Sequence, residues 1–283
     1  MNSTQQIQLL AADLDGTLLV RAQVSESNRR AVQAVIDRGI QFIPVSARAP
    51  FGIIHALTGI EGFRYIIALN GAYVIDRWNR NVLLDRPIPE GEVRALLELI
   101  QEYDLYAGFY FKNELYADKH GEAALLESTY QGKIQTFVPN LLALASGGAH
   151  KIIAIEMNDR DLLARFYAEG VQRIPELNFT YSSDQSIEIV ASGVSKGSAL
   201  QYLAEHLGIP PQAILAIGDS ENDLDMIQYA GTGVAVENAL ESVRSVASRV
   251  VKSSKDNGVA QAIWELVLPP GDNPSERLVE AAE

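Results

Sequence analysis

The stretch Ile7-Gln8-Leu9-Leu10-Ala11-Ala12-Asp13-Leu14-Asp15-Gly16-Thr17 decides the architecture. An apolar run that ends in two acids predicts a strand buried on both faces, as in a parallel sheet. Working outward, Ser25 to Gly39 has apolar residues at helical spacing, a serine start and a glycine stop. Residues 40–46 predict the next strand, 49–60 a helix and 65–71 a third strand. This alternation calls for a parallel sheet with right-handed crossovers.

Two alternating runs, 72–76 and 81–85, flank the polar tetrapeptide Arg77-Trp78-Asn79-Arg80 and predict a hairpin. Pro89 to Tyr103 then has the pattern of an amphipathic helix. The middle of the chain changes character. Residues 105–118 are rich in aromatics, Lys151 to Met157 predicts a strand, Asp159 to Arg173 a helix, and 179–192 two strands or one bent hairpin. From Ser195 the first style returns: helix 195–209, strand 213–220, helix 221–231, strand 232–237, helix 239–248, strand 249–253 and a helix from Gly258 to Leu266. One α/β domain (1–85 and 193–270) interrupted by an inserted α/β domain (86–192) is the simplest arrangement. Residues 271–283 have no core pattern and are expected to be a mobile tail.

Composition narrows the function. The 283 residues are 47% hydrophobic and 21% charged, so a chain of this length buries a substantial core. Cysteine is absent, which excludes disulfides, thiolate metal sites and a cysteine nucleophile. The net charge of -13 argues against general nucleic-acid binding, because an acidic surface repels phosphate backbones. A local pocket can still take an anionic small molecule. The start of the chain lacks the basic and apolar regions of a secretory signal, and no run approaches the roughly 18 apolar residues of a membrane helix. A cytosolic protein without a membrane partner is expected. The four histidines are scattered, so a zinc site is disfavoured. A Ser-His-Asp hydrolase is disfavoured too, on the reading that no G-x-S-x-G elbow is present.

Four pieces carry chemistry. Asp13 and Asp15 stand at the carboxyl end of a strand, the edge at which open parallel sheets bind ligands, and alternation points both the same way. Gly16 permits a tight turn after them. Asp219 and Asp223, in Gly218-Asp219-Ser220-Glu221-Asn222-Asp223, follow another apolar strand. Four clustered carboxylates repel one another, and Mg²⁺ relieves this while keeping coordination positions for a phosphate. Ser46-Ala47-Arg48 ends the second strand, where a hydroxyl and backbone N–H groups can hold phosphate oxygens. Lys196 opens a later helix and offers a positive charge. Each piece alone has an ordinary explanation as a cap, turn or solvated charge. Their order in one chain is the stronger signal.

That order, with Asp13-Leu14-Asp15-Gly16-Thr17-Leu18-Leu19 and Gly218 to Met226 at its ends, resembles the haloacid dehalogenase (HAD) superfamily over about residues 8–265. Leu69-Asn70-Gly71-Ala72, Ser195-Lys196-Gly197 and Asn257-Gly258-Val259-Ala260 resemble its Cof-type sugar-phosphatase branch. Two departures are mild: Ser46-Ala47-Arg48 stands where that branch often has Thr-Gly-Arg, and Asp256-Asn257 precedes Gly258. The resemblance implies a Rossmann-like core with an inserted cap and a Mg²⁺-dependent phosphatase. Asp13 would be the nucleophile and Asp15 the acid and base. Asp13, the Asp15 carbonyl and Asp219 would bind Mg²⁺, with Asn222 and Asp223 supporting that shell. Ser46, Ala47 and Lys196 would hold the phosphoryl group.

Only 29 positions separate Thr17 from Ser46, whereas 150 separate Ser46 from Lys196, so the cap falls in the second interval. Substrate-reading candidates are Arg48, Asn70, Gly71 and Glu188, with the aromatic segment Tyr103 to Tyr116, Lys112 and Lys119. Phe109 and Phe111 are more simply cap core. The expected partner is a small phosphorylated metabolite such as a sugar phosphate. A sugar phosphomutase remains an alternative, and less so a phospho-acceptor module resembling a bacterial receiver domain or a degenerate relative that only binds ligand.

Overall fold

The computed structural model describes residues 6–269; the tail expected at 271–283 lies outside them. The first sheet has eight strands, with Leu9–Asp13 near its centre. On one side run Gln41–Val45 and Tyr65–Ala68. On the other run Ile214–Gly218, Thr232–Val236 and Arg249–Val251, all parallel. The predicted hairpin, Tyr73–Asp76 with Asn81–Asp85, adds two antiparallel edge strands. Leu9, Leu10, Ala11 and Ala12 are all fully buried, as a strand covered on both faces requires. The chain goes outward one way from the central strand and returns on its other side. The switch point therefore sits at Asp13.

Local signals explain the helix ends. Ser25 caps helix Glu26–Asp37, its Oγ accepting from the Asn28 amide at 3.1 Å. Gly39 leaves it with φ of +76°. The helix expected over 221–231 begins as a 3₁₀ turn, Glu221–Asp223, and becomes α-helical only over Leu224–Tyr229. Among the described residues, no helix is long and apolar enough to cross a membrane.

A second sheet of six strands lies between residues 106 and 191. Its order is Thr136–Phe137, Glu114–Ala117, Tyr106–Phe111, Lys151–Ile155, Ser186–Ala191 and Leu177–Ser183. Strand alternation gives it two unlike faces. Phe109, Ile152, Ala154, Ile187 and Ile189 pack under helices Glu90–Glu102 and Arg160–Arg173. Tyr110, Ile153, Ile155 and Val190 belong instead to the core shared with the first sheet. The same parity turns Lys151 and Glu188 toward the end of the central strand. The segments joining the two sheets are tied together by paired Ile88 and Ala149 and by His150 Nε2 at 2.7 Å from Asp85.

The turn Leu69–Gly71 packs against the entry to helix Lys196–Leu207. Gly71 has φ of +94°, and a Cβ there would lie 2.1 Å from the Ser195 carbonyl oxygen. Gly71→Ala is therefore expected to cost about 2–3 kcal/mol in urea unfolding. Gly91→Ala, where a methyl group meets nothing within 4 Å, is expected to be neutral or slightly stabilising. Equal effects from the two changes would contradict this packing.

Candidate active site

Asp13 ends the central strand and is 4% exposed. Val45 pairs with it in register, so Ser46-Ala47-Arg48 begins at the same edge. The neighbouring strand Ile214–Gly218 delivers Asp219 and Asp223 there. Lys196 arrives from the insertion's far end, on the first turn of a helix capped by Ser195 and Ser198. Its buried ammonium donates to Asp13 Oδ1 at 2.7 Å and to Asp223 Oδ1 at 2.6 Å. Asp223 Oδ2 accepts the backbone N–H groups of Asp219 at 2.9 Å and Ser220 at 3.0 Å. Both Asp223 oxygens are thus committed to holding the lysine and the loop.

Asp219 is oriented from two sides. The Thr17 hydroxyl donates to Oδ1 at 2.7 Å and the Ser220 hydroxyl to Oδ2 at 3.2 Å. Gly16, with φ of +87°, leaves room for it: a Cβ would stand 2.4 Å from Asp219 Oδ2. Oxygens of Asp13, Asp219 and Asp223 all lie within 4.8 Å of one another. Burial and the charges of Asp223 and Asp219 push the Asp13 carboxyl well above the usual range, against the pull of Lys196. Burial and Asp223 likewise raise Asp219. Burial opposes the Lys196 charge, yet Asp13 and Asp223 hold it above its ordinary value. Three carboxylates face one ammonium, and all the remaining donors are hard oxygens. This set fits a divalent cation such as Mg²⁺.

Asp15 is held differently. Arg48, 1% exposed, grips it with Nε and Nη2, each at 2.7 Å, and its third nitrogen donates to the Tyr130 carbonyl. The Tyr130 hydroxyl donates to Asp15 Oδ2 at 2.8 Å, and its ring lies 4.2 Å from the guanidinium carbon. A second network joins the two sheets. Lys151 Nζ donates to Glu188 Oε1 at 2.5 Å and to the Ala47 carbonyl at 2.8 Å. Asn70 Nδ2 donates to Glu188 Oε2 at 2.7 Å, and Asn222 Nδ2 to Asn70 Oδ1 at 3.1 Å.

Asp13, Asp15, Ser46, Ala47, Glu188, Lys196, Asp219 and Asn222 line one cavity of about 640 Å³. Asn70 lines an adjoining one. The other sequence candidates sit elsewhere. Gly71 lines neither cavity, and its place is explained by the Ser195 carbonyl. Lys119 is bound by the Asp104 carboxylate at 2.6 Å, and Lys112 stands over the Phe111 ring. Phe109 is 1% exposed within the core of the second sheet.

The reading that no G-x-S-x-G is present needs correction: Gly193-Val194-Ser195-Lys196-Gly197 spells it. In the structure Ser195 Oγ is a helix cap, accepting from the Ser198 amide at 3.0 Å, with no histidine among its hydrogen-bond partners. Geometry, not the absence of the letters, argues against a serine hydrolase.

Sequence reasoning missed Tyr130, Gln131 and Glu127, all on helix Glu122–Gln131. Its buried residues are Ala123, Ala124, Glu127 and Gln131, while Leu125 is 68% exposed. This inverts the apolar stripe that helix prediction looks for. The available signal was polar: Glu127, Tyr130 and Gln131 share a face at three- and four-residue spacing.

Residues 10–263 match the sequence model of the haloacid dehalogenase-like hydrolases. The chain belongs to this family. The hydrolase is 31% identical to a 5-amino-6-(5-phospho-D-ribitylamino)uracil phosphatase of Bacillus subtilis, over 91% of this chain and 97% of the relative. A second Bacillus subtilis phosphatase of that name is 27% identical, over 93% and 96%. A haloacid dehalogenase-like hydrolase from Bacteroides thetaiotaomicron superposes with a TM-score of 0.83 at 26% identity, covering 91% of this chain and 98% of the other. The Cof-type resemblance and the parallel-sheet α/β fold expected from the sequence hold.

Removing the lysine should expose the charge imbalance of the hydrolase. Lys196→Met is expected to destabilise it by about 3–5 kcal/mol in urea unfolding near neutral pH, because two buried carboxylates lose their cation. A loss below about 1 kcal/mol would show that the ion triad carries little of the site's electrostatics.

Proposed function

We propose that this hydrolase is a Mg²⁺-dependent phosphatase that cleaves a small phosphorylated metabolite, a sugar phosphate or related polyol phosphate, through an aspartyl-phosphate. The observation that carries the reading is Asp13, buried at the switch point, bound to Lys196 and beside Asp219. The ribityl phosphate named for two relatives supports a polyol ester.

In this mechanism an Asp13 oxygen attacks phosphorus and the bond to the leaving oxygen breaks. Asp15 gives that oxygen its proton, after turning away from Arg48 and Tyr130. As a carboxylate it then takes a proton from water, which attacks phosphorus and releases phosphate from Asp13. Ser46 and the Ala47 amide hold phosphoryl oxygens, and Lys196 balances their charge. Asp13, the Asp15 carbonyl and Asp219 would hold Mg²⁺, with Asn222 and Asp223 behind them. When bound, the ion supplies positive charge to the phosphoryl oxygens and to the crowded carboxylates. The second sheet covers the cavity and keeps bulk water from the phosphoryl group.

The test is p-nitrophenyl phosphate turnover. Activity is expected with Mg²⁺, to be abolished by EDTA, and to fall about 10³-fold or more in Asp13→Asn. Mg²⁺ is also expected to raise the Tm of the wild-type protein but not of Asp219→Asn. Undiminished turnover by Asp13→Asn would reject the mechanism.

A further inference from the structure

Glu127 is a poorly satisfied buried acid. It is 3% exposed, on the inward face of helix Glu122–Gln131, and lines the cavity. Among the described residues its hydrogen-bond partner is Gln131 Nε2, at 3.4 Å, and no cation pairs with it. The Gln131 side-chain oxygen Oε1 itself accepts from the Ala49 amide at 3.2 Å. Its carboxyl is thus weakly held by the protein and faces the cavity. A carboxyl facing a cavity with one weak protein partner is free to bind a donor on a ligand. Burial, reinforced by Glu188 and opposed by Lys151, pushes Glu127 up to about 7. In either protonation state it can pair with a hydroxyl.

Its position says what it would read. Tyr130, three residues on, touches Asp15, the group placed at the leaving oxygen. Glu127 therefore stands about one helical turn, roughly 5 Å, from Tyr130 on the same cavity wall. Of the acids that line the cavity beside it, Glu188 is paired with Lys151 and Asp184 with Arg160, which leaves Glu127 without an ion-pair partner among the described residues. Glu127, Glu188 and Asp184 line this part, with the hydroxyls of Thr180, Ser182 and Ser186. Among the described residues the cationic side chain in the lining is Lys196, already shared by Asp13 and Asp223. Lys151 is bound to Glu188 and Ala47. A second anion on the substrate would meet acids without a free counter-charge.

We propose, resting on the phosphatase reading, that Glu127 is a specificity-determining residue that binds a hydroxyl or amine N–H of the leaving group and rejects substrates carrying a second anionic group. The substrates are then monophosphates of uncharged or cationic polyhydroxylated alcohols.

The experiment is calorimetric binding to the full-length Asp13→Asn protein with Mg²⁺ at about pH 8, above the Glu127 transition. The probes are sorbitol 6-phosphate and 6-phosphogluconate, which differ in one terminal carboxylate. Sorbitol 6-phosphate is expected to bind at least about tenfold more tightly. Adding Glu127→Gln, which removes the charge but keeps the shape, is expected to narrow the gap to about threefold or less. A gap that is absent, whether neither probe binds or both bind equally, overturns the proposal. So does a gap unchanged in a Glu127→Gln protein with native thermal unfolding. If that variant does not fold, Glu127→Asp withdraws the group by one methylene and should weaken sorbitol 6-phosphate binding about threefold or more; unchanged binding overturns the proposal. Because the readout is binding, absence of turnover in the wild-type enzyme would count against the phosphatase reading while leaving the charge preference measurable.

Discussion

One buried ammonium holds three segments of the chain together. Lys196 joins Asp13 at the end of the central strand to Asp223 beyond the neighbouring strand, and the three groups are almost wholly buried. Charges this deep persist only when paired and hydrogen-bonded. Asp223 meets that condition completely, with one oxygen on the lysine and the other on two backbone amides. Asp13 does not, since it answers to Lys196 and also to two neighbouring acids. The surplus of negative charge at one sheet edge is the constraint from which the fit to a divalent cation and the proposed phosphoryl chemistry both follow.

The second sheet and helix Glu122–Gln131 bear on that edge through two separate sets of contacts. Lys151 and Glu188 reach the Ala47 carbonyl and Asn70, which line the two adjoining cavities. Tyr130 reaches Asp15 and stacks on the Arg48 that grips it. The group assigned as acid and base is thus contacted by a residue of the inserted segment. Movement of that segment would change what Asp15 can touch. Leu69 and Asn70 both have positive φ, an uncommon conformation for non-glycine residues, which places Asn70 between Glu188 and Asn222.

By itself the sequence determined the parallel core, because its strands are unbroken apolar runs and its helices begin and end on residues such as Ser25 and Gly39 whose local chemistry is legible. It also showed where acids, a serine and a lysine stand at the ends of elements, since those positions depend on spacing alone. Only the tertiary structure decided which of them meet. Lys196 lies 183 positions from Asp13, and Tyr130 lies 115 from Asp15. Helix Glu122–Gln131 escaped notice because its buried positions are two alanines, a glutamate and a glutamine while Leu125 and Leu126 are exposed, so it shows no stripe of large apolar residues. The preference proposed for the cavity depends on Glu127 finding few partners. That is a property of what surrounds it in space, which no local pattern encodes.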